Sequence, residues 1–136
     1  MGGSITQYLW SDSYSVKVPN VDAQHKKLIE MVEELQTAMK NGSGKEELGK
    51  MLDFLANYTV QHFKDEEDVM KKLNVAGLEE HKKEHEDFVK FVSDTIQKFK
   101  KDGASLSMLI TIHQQVGEWL VDHILKKDKQ IANYVK

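Results

Sequence analysis

LGKMLDFLANYTVQHFKDEEDVMKKL, residues 48–73, decides how this chain folds. Leu48, Leu52, Leu55, Thr59, His62, Glu66, Val69 and Leu73 recur every three or four residues, the spacing that holds one stripe of a helix against a neighbour. A strand would alternate every second residue, and this stretch does not. Halfway along, the stripe turns from leucine to histidine and glutamate, so packing and chemistry share one face. Working outward, Ser43 followed by Glu46 is a capping-box signature for the helix start. Three turn clusters, Asn41-Gly42-Ser43-Gly44, Asn74-Val75-Ala76-Gly77 and Asp102-Gly103-Ala104, divide the chain after Asn20 into four segments.

The other three segments carry the same periodicity. The first gives Val21, His25, Leu28, Val32, Leu35 and Met39; the third gives Leu78, His81, His85, Phe88, Val92, Ile96 and Phe99; the fourth gives Leu109, Ile112, Val116, Leu120 and His123. Long helices joined by short loops pack as antiparallel neighbours. The expected fold is therefore all-α, an up-down-up-down antiparallel four-helix bundle forming a single domain over 1–136. Residues 1–20, with Trp10, Tyr14 and Pro19, read as an irregular N-terminal arm. Residues 21–136 form the bundle and a tail, in which 128–136 is a further short helix.

Composition narrows the function. A chain that is 40% hydrophobic and 30% charged is a folded helical domain rather than a disordered or membrane-spanning one. No cysteine is present, which excludes disulfides, iron–sulfur clusters and thiolate zinc sites, and suits a cytoplasmic location. All 19 basic residues are lysine and the net charge is −3, a poor basis for binding nucleic acid. The uncharged run from Ala104 to Gly117 is too short to enter a bilayer as a spanning helix. Met1 to Thr6 fits the loose myristoylation pattern, but no polybasic patch follows to make a second anchor. Nothing points to a partner protein.

The stripes contain an anomaly. His25, His62, Glu66, His81, His85 and His123 stand where a bundle wants leucine. Burying them unpartnered would cost about 1–3 kcal/mol each, against a domain stability of roughly 5–15 kcal/mol. A metal would satisfy them all. His62/Glu66 and His81/His85 are four residues apart, about 40° around a helix, and can reach one side together. Asp128 lies five residues after His123, about 140° around, so it has to reach across from the helix end or from a distorted turn. His113 is set aside as a surface or interhelical hydrogen-bonding histidine.

Imidazole and carboxylate without thiolate suit iron, zinc, manganese or copper. A structural zinc wants about four ligands, and His25, His62, Glu66, His81, His85, His123 and Asp128 are too many. They suit two ions. Two six-coordinate ions bridged by Glu66, Asp128 and a hydroxide, with the five histidines as terminal ligands, keep one position open. No acid, base or nucleophile stands nearby, so such a site binds a small ligand without transforming it and is not an enzyme. Two rivals explain less. His81-Lys82-Lys83-Glu84-His85 fits the inverted zinc-protease pattern with Glu84 as base, but ignores three histidines. Ferritin-like oxidases need Glu-x2-His pairs, and there are none.

The constellation resembles the hemerythrins, specifically bacterial hemerythrin domains such as those that end some chemotaxis transducers. The carriers are Trp10, Val21-Asp22-Ala23-Gln24-His25-Lys26-Lys27-Leu28, Tyr58 to Met70, His81-Lys82-Lys83-Glu84-His85 and Trp119 to Asp128. The family pattern of one lone histidine, His-x3-Glu, His-x3-His and His-x4-Asp is complete and in order. The resemblance implies a cofactor of two iron ions, oxo- or hydroxo-bridged. His81, His85 and His123 would complete the saturated iron, His25 and His62 would hold the iron with the vacancy, and Glu66 and Asp128 would bridge. Dioxygen is the implied ligand, bound reversibly for storage or delivery. The alternatives are an oxygen or redox sensor, with a signalling module as partner if the chain is an excised domain, and a di-iron protein reactive toward peroxide or nitric oxide. From helical stacking, Phe63, Trp119, Leu120 and Ile124 are expected to wall the oxygen pocket and keep water out.

Overall fold

A computed structural model describes residues 9–103 and 105–135; the Met1 to Thr6 pattern, the first part of the arm, Ala104 and Lys136 lie outside them. The four expected helices are α1 (Pro19–Lys40), α2 (Gly44–Leu73), α3 (Leu78–Asp102) and α4 (Leu106–Lys126). A 3-10 turn (Asp12–Tyr14) precedes them and a 3-10 helix (Asp128–Tyr134) follows, so the tail takes the short helix expected of it. No strand occurs among the described residues.

Local chemistry sets the ends. Pro19 opens α1 at a position where its missing N–H costs nothing, so the helix starts before Asn20 and the arm is shorter than expected. Asn74, in the left-handed conformation (φ 58°), stops α2, and Val75 N–H closes back on the Met70 carbonyl. The capping box at Ser43 is not formed. Ser43 sits at φ −109°, ψ 25° rather than in the extended region that a cap needs, and its hydroxyl donates to the Ala38 carbonyl of the preceding helix. Ser105 does cap α4, accepting from Met108 N–H at 3.1 Å.

The core forms two apolar layers. The larger contains Leu28, Leu35, Leu52, Leu55, Phe88 and Leu120 among others. The smaller, Val16, Val21, Met70, Val75 and Ile131, joins the arm to the ends of α1, α2 and the tail. On α1, α2 and the tail, polar positions fall between these layers: His25 between Val21 and Leu28, Glu66 between Phe63 and Met70, Asp128 between Ile124 and Ile131. The arm is also tied to the tail by polar contacts. Asp22 accepts from Val16 N–H at 2.8 Å and from the Ser15 hydroxyl at 2.6 Å, and Lys129 donates to the Ser15 carbonyl at 2.8 Å.

Candidate metal centre

The bundle brings all seven candidate ligands to one place, and none exposes more than 4% of its surface. His25 comes from α1, His62 and Glu66 from α2, His81 and His85 from α3, and His123 from α4. Asp128 is the first residue of the C-terminal 3-10 helix. The five-residue step therefore works through a distorted turn: α4 ends at Lys126, and the tighter winding that follows brings Asp128 inward.

The two carboxylates divide the histidines into two groups. Glu66 Oε1 lies 2.8 Å from His81 Nε2 and 3.1 Å from His85 Nε2, while its Oε2 lies 2.9 Å from His25 and 3.5 Å from His62. Asp128 repeats the division, with Oδ1 2.7 Å from His81 and 3.0 Å from His123, and Oδ2 3.0 Å from His25. His81, His85 and His123 thus lie on the side of Glu66 Oε1 and Asp128 Oδ1, while His25 faces Oε2 and Oδ2 and His62 faces Glu66 Oε2.

Three of the histidines are oriented by residues on neighbouring helices. His62 Nδ1–H donates to the Gln24 side-chain oxygen at 2.7 Å, and Gln24 in turn donates to Asp65 at 2.9 Å. His85 Nδ1–H donates to Glu67 at 2.7 Å, and His123 Nδ1–H to Glu84 at 3.4 Å. A carboxylate or amide oxygen can only accept, so each ring places its Nδ1–H outward and aims its Nε2 inward. Each partner stands beside a candidate ligand on one helix and serves a histidine on the next. Gln24, beside His25, serves α2; Glu67, beside Glu66, serves α3; Glu84, beside His85, serves α4. Glu84 also pairs with Lys127 at 3.4 Å, so it orients a histidine and is not placed as a protease base.

The chemistry of these groups fits a metal. His85 and His123 point Nε2 at one another across 3.1 Å, which sets two lone pairs face to face unless a cation or proton lies between. Both Asp128 oxygens are buried and neither has a hydrogen bond, although three imidazole nitrogens lie within 3.0 Å; the angles fail, not the distances. Electrostatics agree. Burial pulls His25 down, yet Asp128 and Glu66 outweigh it and raise it to about 10; His81 is raised against burial to about 9 by the same pair. Burial and the Asp128 charge push Glu66 up, but His25, His81 and His85 hold it at about 2. Asp128 is held well below the carboxylate range against burial, by His123, His25 and His81. Burial keeps His62 neutral, near 4. The carboxylates stay ionised in an apolar interior and draw positive charge to themselves.

Aromatic rings cover one side. Phe63 stacks on His85 at 3.9 Å and Trp119 on His123 at 4.5 Å, with Phe88 behind them. Leu120 and Ile124 are buried in the same layer. The two rings lie against the three-histidine group; Phe63, though adjacent to His62 in sequence, is tilted to that ring at 5.6 Å. His113 is buried apart from the cluster and bonds the Val32 backbone of α1, the interhelical role rather than a surface one. Gln24, Glu67 and Glu84 are the residues that sequence reasoning missed.

The family described as the hemerythrin HHE cation binding domain covers residues 16–135. The chain is similar to a bacteriohemerythrin of Methylococcus capsulatus, 38% identical over 116 residues, 85% of this chain and 86% of that one. It is similar to a myohemerythrin of Riftia pachyptila, 33% identical over 86% of this chain and 84% of that one. Among solved structures, a wild-type hemerythrin superposes with a TM-score of 0.78 at 35% identity, covering 91% of this chain and 94% of that one.

Proposed function

The chain belongs to the hemerythrin family, non-haem di-iron proteins that bind oxygen and are not enzymes, and from that premise we propose that it binds dioxygen reversibly for storage or delivery. In this reading His81, His85, His123 and one oxygen each of Glu66 and Asp128 hold one iron. His25, His62 and the other two oxygens hold the second, which has the fewer protein ligands and so the open position. The observation that carries it is the double division of the histidines by the two carboxylates, each with one oxygen toward either group. When bound, a ferrous pair supplies two electrons to dioxygen and recovers them on release.

The chain's own contribution is geometric and dielectric. Glu66 and Asp128 set the spacing of the two positions, and Gln24, Glu67 and Glu84 fix three ring orientations. Phe63 and Trp119, packed on His85 and His123, together with Leu120 and Ile124, keep water from that side of the centre and so slow irreversible oxidation. Iron analysis and oxygen titration of the reduced protein should give two irons per chain and one dioxygen per pair. One iron per chain, or zinc taken up tightly in preference to iron, would overturn the reading.

A second use, oxygen sensing, is favoured by one contact. Lys129, next to Asp128, bonds the Ser15 carbonyl, so any movement of Asp128 would be carried to the arm. A sensor should show altered hydrogen-exchange protection at Ser15 to Val18 and Asp128 to Tyr134 between reduced and oxidised forms. A carrier should show the same protection in both. No described helix is long and apolar enough to cross a membrane.

A further inference from the structure

We propose that the two metal positions fill in a fixed order, the three-histidine position first, and that Glu67 and Glu84 set its lead by strengthening their histidines as donors. The proposal rests on the di-metal reading above and adds to it a role for two residues outside the ligand set.

An imidazole whose outer N–H bonds an anion is the better metal donor, because the anion stabilises the charge that develops on the ring. In the three-histidine group, two rings have that support: His85 from Glu67 at 2.7 Å and His123 from Glu84 at 3.4 Å. The two-histidine group has weaker support. His62 bonds only the neutral oxygen of Gln24, with the Asp65 charge one hydrogen bond further out. The buried Nδ1 of His25 has no hydrogen-bond partner. The residue after His123 on α4, Ile124, has no atom that could supply one.

A further asymmetry acts in the same direction. The first group offers three imidazoles with Glu66 Oε1 and Asp128 Oδ1, and the second offers two with Oε2 and Oδ2. Once one cation is in place, the shared carboxylates are already partly neutralised. The second cation then meets a like charge across the bridge. Donor number and anionic support place the three-histidine position first, and the charge of the first cation separates the two steps.

The test is anaerobic titration of the metal-free full chain with Co(II), followed by calorimetry and by the visible spectrum of the bound metal. Wild type should show two resolved steps of one cobalt each. Glu67→Gln and Glu84→Gln keep an oxygen acceptor and nearly the same volume but remove the charge. Each should weaken the first step about tenfold, at the lower end of what such partners contribute, and leave the second unchanged. Gln24→Ala should weaken only the second. The unfolding midpoint of the metal-free Glu67→Gln protein should match wild type, which separates lost donor strength from lost structure. Two cobalt ions entering in one unresolved step, or Glu67→Gln and Glu84→Gln leaving the first step intact or weakening both steps equally, would overturn the order and its cause. No cobalt uptake by wild type would overturn the metal reading itself.

Discussion

Glu66→Ala is expected to reduce iron content from two per chain to less than one and to abolish oxygen uptake, an effect larger than that of any single histidine substitution. Glu66 is fully buried, and its carboxylate reaches all five of these histidines, from 2.8 Å at His81 to 4.0 Å at His123. Its removal takes one donor from each position and a negative charge from both. Loss of a partner one shell further out already costs roughly 10–100-fold in affinity, so loss of a bridging donor should exceed 100-fold at each position. His25→Ala removes one donor from one position only and should retain about one iron. Metal analysis of the two purified variants side by side checks this. If Glu66→Ala keeps two irons, the bridging role is wrong, whatever the fold.

The order of effects follows from what the sequence could and could not reveal. The helices were legible because burial is periodic: a 30-residue α2 repeats one stripe often enough that no strand reading survives. The histidines and Glu66 were legible for the opposite reason, as polar groups in leucine positions. Asp128 was legible as a candidate ligand, but only as one that has to reach across from the helix end or from a distorted turn. Its five-residue step is wrong for an α-helix and becomes right only because α4 gives way to 3-10 winding after Lys126. Ser43 looked like a cap and is not, since the turn from α1 fixes its backbone before α2 can use its hydroxyl.

Gln24, Glu67 and Glu84 were not legible for a geometric reason. A residue next to a ligand is turned about 100° from it around the helix, so it leaves the core stripe and looks like part of a solvated face. In a bundle, that rotation aims it at the neighbouring helix. The partner residue precedes the candidate ligand on α1 and α3 and follows it on α2, because alternate helices run in opposite directions and the same side of the bundle is reached by opposite rotations. Periodicity along one helix carries no trace of a contact that exists only between two.

Phe88→Ala should separate the scaffold from the centre by failing in the opposite way to Glu66→Ala: a large loss of stability with the metal count unchanged. Phe88 is 2% exposed and touches no candidate ligand through a polar atom. Its ring stacks on Trp119 at 4.2 Å and meets Phe63 edge-on at 6.2 Å. Those two rings in turn lie flat on His123 and His85. Truncation removes the ring that backs both and leaves a cavity where it stood. Phenylalanine-to-alanine changes in cores cost about 3–5 kcal/mol, and for a chain of this length that is roughly 10–15 °C in the melting temperature. Trp119 and Phe63, freed on one face, should admit water nearer the imidazoles and shorten the life of the oxygenated form. Two irons should remain, since every donor and every outer partner is still present. Thermal unfolding, iron analysis and the decay of the oxygenated spectrum measure the three quantities independently. A melting temperature within a few degrees of wild type would mean that the aromatic layer does not carry the α3–α4 packing. Loss of an iron would mean that the rings position the ligands rather than merely covering them.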